Sequence, residues 1–155
     1  MNSMLDKLAR GEVLEFAGIP SGTRVSDLFP GFSIDTDPWG QATLGSQHQK
    51  ARFIVRKSVT EHELRVWFDE SGLVLLVDFD YPGLEISPRD LFEDLGRADA
   101  VLDARDDILA HLNETVFGSR GLSFICDPDE RFLVRIIAFS PTTAENYLKR
   151  LRVNP

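Results

Sequence analysis

A single cysteine, Cys126, in 155 residues excludes an internal disulfide framework and any multi-cysteine metal site. Histidine is nearly as scarce. His48, His62 and His111 stand far apart, and none has the short-range partner that a metal site needs. No apolar run approaches the roughly 18 residues of a membrane helix. The opening stretch MNSMLDKLARGEV has no apolar run behind its charges, so no secretory leader is visible and a cytoplasmic location is expected. Cations are in the minority: 17 Lys and Arg against 25 Asp and Glu leave a net charge of −8. That balance argues against general nucleic-acid binding, where basic side chains must neutralise phosphates. Nucleophile-elbow, phosphate-loop and dinucleotide-binding glycine motifs are all missing. No catalytic residue, cofactor or metal is therefore assigned, and nothing in the sequence points positively to an enzyme.

What the chain does have is alternation. Leu64, Val66 and Phe68 point one way while Arg65, Trp67 and Asp69 point the other, the period of a half-buried strand. After the turn residues Glu70-Ser71-Gly72, Leu73, Leu75, Val77 and Phe79 form one face, and Val74, Leu76 and Asp78 the other. A second hairpin repeats the pattern from Leu122 to Phe139 around Asp127-Pro128-Asp129-Glu130. There Phe132, Val134, Ile136 and Ala138 are expected on one face. A strand candidate precedes each hairpin, residues 51–57 and 114–117, and a helical Asp-Leu-Phe precedes each of those, Asp27-Leu28-Phe29 and Asp90-Leu91-Phe92. Self-similarity at this scale predicts an internal duplication. The two halves even share their charge: residues 1–82 carry 8 basic and 12 acidic residues, residues 83–155 carry 9 and 13, or −4 each.

The predicted fold is α+β: a single domain over 1–155 with two helix-plus-three-strand repeats, about 12–82 and 83–140, and a C-terminal helix over 142–152. The sheet is expected to be antiparallel with helices on one face. Its expected core includes Leu28, Phe29, Phe53, Val55, Leu64, Val66, Leu75, Val77, Leu91, Phe92, Phe124, Val134 and Ile136. Elsewhere, Glu12–Phe16 reads as a brief strand. Ser87 with Pro88 opens a helix, and Thr142 with Glu145 forms a capping box. Residues 98–112 read either as a second helix or as a short strand, AVL, followed by a helix. Cys126 reads as a small core hydrophobe on a strand.

Two stretches stand out as binding surfaces. Residues 33–49 form the longest run without periodicity, with Trp39 beside Asp35 and Asp37, an aromatic anchor flanked by carboxylates. Residues 89–114 hold eight acidic and three basic residues, and Asp103, Asp106 and Asp107 are the expected steering charges there. Both faces of the hairpin strands are partly apolar, so the second face must meet the other repeat, a terminal helix, a second copy or a foreign partner.

In the pattern of DLFEDLGRAD at 90–99 and the two hairpins, the chain resembles the tandem helix-and-sheet units of the β-lactamase inhibitor protein and of the SmpA/OmlA-type lipoprotein domain. Its size and acidity are similar to those of bacterial toxin-immunity proteins. These resemblances imply a non-enzymatic, acidic protein binder whose partner is a basic toxin or enzyme. A homodimer through the sheet face is also open. A different class of function remains beside it: a small-ligand-binding or enzymatic domain with a pocket between the repeats.

Overall fold

Both alternating runs become hairpins near the middle of one eight-stranded antiparallel sheet. The computed structural model describes residues 3–28, 40–45, 48–55, 64–69, 71–80, 86–104 and 111–152. Its strands are β1 (Gly40–Gly45), β2 (His48–Val55), β3 (Leu64–Phe68) and β4 (Val74–Asp80), then β5 (Ala100–Ala104), β6 (Leu112–Phe117), β7 (Leu122–Cys126) and β8 (Leu133–Phe139). The order across the sheet is β1-β2-β3-β4-β8-β7-β6-β5. Each half is a meander entered from a helix, α2 (Val25–Leu28) in the first and α3 (Pro88–Leu95) in the second, and α1 (Ser3–Ala9) precedes both. The halves join where β4 runs antiparallel to β8, with Val77 across from Ala138 and Phe79 across from Ile136.

Each half thus holds four strands where three were expected. The additions are β1, inside the stretch predicted to lack periodicity, and β5, which is the strand alternative for residues 98–112. Sequence gives both little signal. GQATLG and AVLDA have weak strand propensity, and they extend because an adjacent strand offers them its open edge.

The helix side of the sheet buries Val66, Phe68, Val77, Leu122, Phe124, Leu133 and Ile136 beneath Leu5 and Leu8 of α1, Val25 and Leu28 of α2, and Leu91 and Leu95 of α3. Phe92, Phe117 and Phe124 form an aromatic triangle there, with ring centroids 5.6–5.9 Å apart. Of the predicted core, Leu28, Val66, Val77, Leu91, Phe124 and Ile136 are buried. Phe92, Leu75 and Val134 are only partly so. Phe29 and the side chains of Phe53, Val55 and Leu64 lie outside the described residues.

Strict alternation fails at one point in each hairpin, and it is the same point. The β3–β4 register shifts after Trp67, so that Trp67 faces Leu76 but Phe68 faces Val74. The β7–β8 register shifts after Ile125, so that Ile125 faces Arg135 but Cys126 faces Leu133. A bulge admits one extra residue and reverses the facing of what lies beyond it. Leu75 therefore packs with Trp67 and Leu76 on the opposite face. Leu133 turns inward, and Phe132 stands 55% exposed.

That opposite face is covered from within the chain. Helix α4 (Ala144–Asn146) continues as a π-helical stretch over Tyr147–Leu151 and lies on Trp67, Leu76, Val116, Ile137 and Phe139. The Tyr147 ring stacks on Phe139 at 4.5 Å. Helices on both faces replace the single helical layer expected. The predicted capping box also moves by one residue: Thr143 Oγ1 accepts from the Asn146 N–H, while Thr142 Oγ1 accepts from the Asn146 side chain. At α3 the expected start holds, with Ser87 as cap and Pro88 in the first turn.

Glu12–Phe16 is not a strand. Val13 and Phe16 are buried three residues apart, the Phe16 N–H bonds the Val13 carbonyl at 3.0 Å, and Leu14 faces out. A turn buries that spacing where no neighbouring strand offers a ladder. The segment then crosses the sheet at a glycine contact. Gly121 has φ +64°, and a Cβ there would sit 2.1 Å from the Phe139 carbonyl oxygen and 2.9 Å from Gly18 Cα. Only glycine fits this crossing.

Candidate functional site

Among the described residues two carboxylates lie buried on the α4 side of the sheet, one in each half. Asp78 of β4 faces Arg65 of β3 directly across the ladder. Its Oδ1 accepts from Arg65 Nε at 2.6 Å and its Oδ2 from the Trp67 indole N–H at 2.9 Å. A second cation, Arg135 of β8, places Nε 4.0 Å from Oδ1. The Arg65 and Asp78 side chains are each 6% exposed, so their charges are met by partners within the fold in place of water.

Glu114 of β6 holds the second cluster. Its Oε1 accepts from Ser123 Oγ at 2.9 Å and from the Tyr147 hydroxyl, and its Oε2 accepts from Arg152 Nε at 2.8 Å. Burial, and then the adjoining carboxylate, push the Tyr147 hydroxyl well above its ordinary value, so it stays protonated and donates. This group ties α4 to the sheet. Arg152 bridges Glu114 and the Asp103 carbonyl, the latter at 2.5 Å from Nη2.

Sequence reading passed over both clusters. Yet a lone Asp inside LVLLVDF, opposite Arg65 in the adjacent strand, is a signal for a buried ion pair.

The turns carry a second pair of carboxylates. Asp69 Oδ1 accepts from the Ser71 N–H, the Ser71 hydroxyl and the Leu73 N–H. Asp127 Oδ1 accepts from the N–H groups of Arg131 and Phe132. Burial acts to raise the Asp69 carboxyl, but hydrogen bonds from Ser71 and Leu73, with Arg24 nearby, outweigh it and hold it below the usual range. The stability it lends is present above the ordinary carboxylate range and is lost as pH falls through its lowered folded value. Each turn is also gripped by its own helix start, with Arg24 Nη1 on the Ser71 carbonyl at 2.9 Å and Arg89 Nη2 on the Asp129 carbonyl at 3.3 Å.

Of the predicted partner-binding residues, Asp103 lies on β5, the terminal strand of the sheet, and is exposed. Asp35, Asp37, Trp39, Asp106 and Asp107 lie outside the described residues. Near Asp103 in sequence, α3 exposes Asp90, Glu93 and Asp94, and Asp99 and Asp129 are also exposed. A cleft of about 660 Å³ runs along residues 4–18, lined by Met4, Lys7, Val13, Leu14 and Phe16 among others. Among the described residues no acidic, histidine or cysteine cluster could hold a metal, and no helix is long and apolar enough to cross a membrane.

Cys126 is fully buried on β7. Burial foremost, then the Asp127 and Glu130 charges, push its thiol up to about 12. A thiol so placed is a poor nucleophile. In the folded protein it should resist a disulfide reagent at pH 8 and titrate fully once guanidinium is added; prompt native-state reaction would show the strand open.

The chain matches no known protein family, no curated protein and no solved structure.

Proposed function

We propose that this protein is a non-enzymatic protein-binding module of inhibitor or toxin-immunity type, acting in the cytoplasm on a partner with a basic surface. The observation that carries this reading is how the chain distributes its carboxylates. Asp78 and Glu114, the two buried carboxylates among the described residues, are each bonded by an arginine and by neutral hydrogen-bond donors within the fold. Asp90, Glu93, Asp94 and Asp103 are exposed instead. Buried charge serves the fold, and surface charge is left to steer a partner.

Internal duplication belongs to the same reading. A shared bulge position, a shared aspartate turn and a shared arginine grip on that turn support two copies of one ancestral helix-and-meander unit. Such a build is similar to that of tandem-repeat inhibitors. Small-ligand binding is the second reading, favoured by the 660 Å³ cleft, a size within the usual range of ligand pockets. The cleft follows the N-terminal segment and not the junction of the halves.

Capture on the immobilised chain, followed by kinetics on the retained protein, provides the test. A variant with Asp90→Asn, Glu93→Gln, Asp94→Asn and Asp103→Asn should associate about tenfold more slowly at low salt. The difference should vanish as ionic strength passes about 0.3 M. Trp39→Ala should leave association alone and speed dissociation. An unchanged association rate for the charge variant overturns the steering role. A melting point lowered by Trp39→Ala with binding intact makes Trp39 a core plug.

A further inference from the structure

We infer that the outer edge of β5 is a strand-addition surface for a second copy of this chain, and that Arg152 holds it closed. β5 ends the sheet, and among the described residues no strand pairs with its outer side. Its Val101 is 62% exposed, the most exposed large apolar side chain described. An edge of this kind presents unpaired main-chain groups and is a template for another strand unless something blunts it. Here the blunting group comes from the C-terminal segment. The Arg152 N–H bonds the Tyr147 carbonyl at 2.8 Å, a wide turn that ends the helix and sends the guanidinium toward the rim of the sheet. Nε is anchored on buried Glu114, and Nη2 donates to the Asp103 carbonyl.

That carbonyl is the group an added strand would use. An antiparallel ladder alternates the sense of its main-chain groups, so Val101 shares the outward sense of Asp103. Two copies of β5 related by a two-fold axis at Leu102 would set Val101 of each against Asp103 of the other. Hydrogen-bonded pairs then form on either side of the axis, and no carboxylate lies directly across from another. With Arg152 in place, the Asp103 acceptor is taken and a bulky cation stands in the path. The net charge of −8 on each copy adds a second restraint, which salt relieves.

The test is sedimentation over a concentration series. The unaltered chain should remain monomeric where Arg152→Ala dimerises, with a dimer dissociation constant at least about tenfold lower. The dimer should tighten with added salt, the opposite of charge-steered partner binding. Adding Val101→Pro, which removes an outward N–H only, should restore the monomer. Arg152→Lys covers the case in which Arg152→Ala fails to fold. It keeps a cation beside Glu114, but its point charge lacks the fork that spans both acceptors. A folded Arg152→Ala or Arg152→Lys chain that stays monomeric overturns the proposal, as does a dimer that survives Val101→Pro.

Discussion

Asp78→Ala should destabilise the fold by about 3–5 kcal/mol, because it takes a carboxylate partner away from a buried guanidinium. Arg65 is held between strands with almost no exposure, and the Trp67 indole N–H loses its acceptor in the same step. Arg135, with Nε 4.0 Å from the same carboxylate, loses a neighbouring anion as well. The comparison that isolates this effect is the double variant Arg65→Met with Asp78→Leu. Replacing a whole buried pair by apolar groups of similar volume is often neutral or stabilising, whereas removing one partner is not. Urea titration of both should therefore give a large loss for the single variant and a much smaller one for the double. A loss under about 1 kcal/mol for Asp78→Ala would mean that water reaches Arg65 after all.

Phe124→Ala is the second large expected effect, about 3–5 kcal/mol in the same assay. Phe124 has no exposed surface and touches both other rings of the aromatic triangle. Its truncation leaves a void between β7 and α3 that a sheet on one side and a helix on the other collapse into only in part. Phe124→Leu should cost markedly less, because most of the volume is retained. Similar losses for Ala and Leu would point to ring geometry in place of volume. A small loss for Ala would contradict the packing described.

Much of this fold was readable in the alternation of the two hairpins. Val66, Val77, Phe124 and Ile136 take the faces that period two assigns them, because each lies on the ladder side of the bulge. Beyond it the pattern inverts: Leu75 and Leu133 exchange faces with their expected neighbours, and no local residue type announces the shift. The strands β1 and β5 were hard to see for a different reason. They exist by pairing, and pairing partners are non-local. The buried charges escaped notice because isolated acids in an acidic chain carry no information until a cation is placed opposite. Arg65 is separated from Asp78 by a turn, so the pair was in principle legible; Glu114 and Arg152 meet only through the path of α4. Asp103 was named for its charge, yet its place at the sheet edge follows from the strand order.

The strand order also shapes how the chain finds its structure. Every adjacent pair of strands is consecutive in sequence except β4 and β8, where Leu76 meets Phe139. Seven strand pairings thus reduce to six local closures and one distant one. Local closures cost little chain entropy and form early, whereas a distant contact waits for its loop to be closed. Two meanders that zip independently and then dock along one central seam would fold in two kinetic steps. Substitutions in β1 or β5, far from the seam, would act on the first step, whereas those at the β4–β8 contacts would act on the second as well.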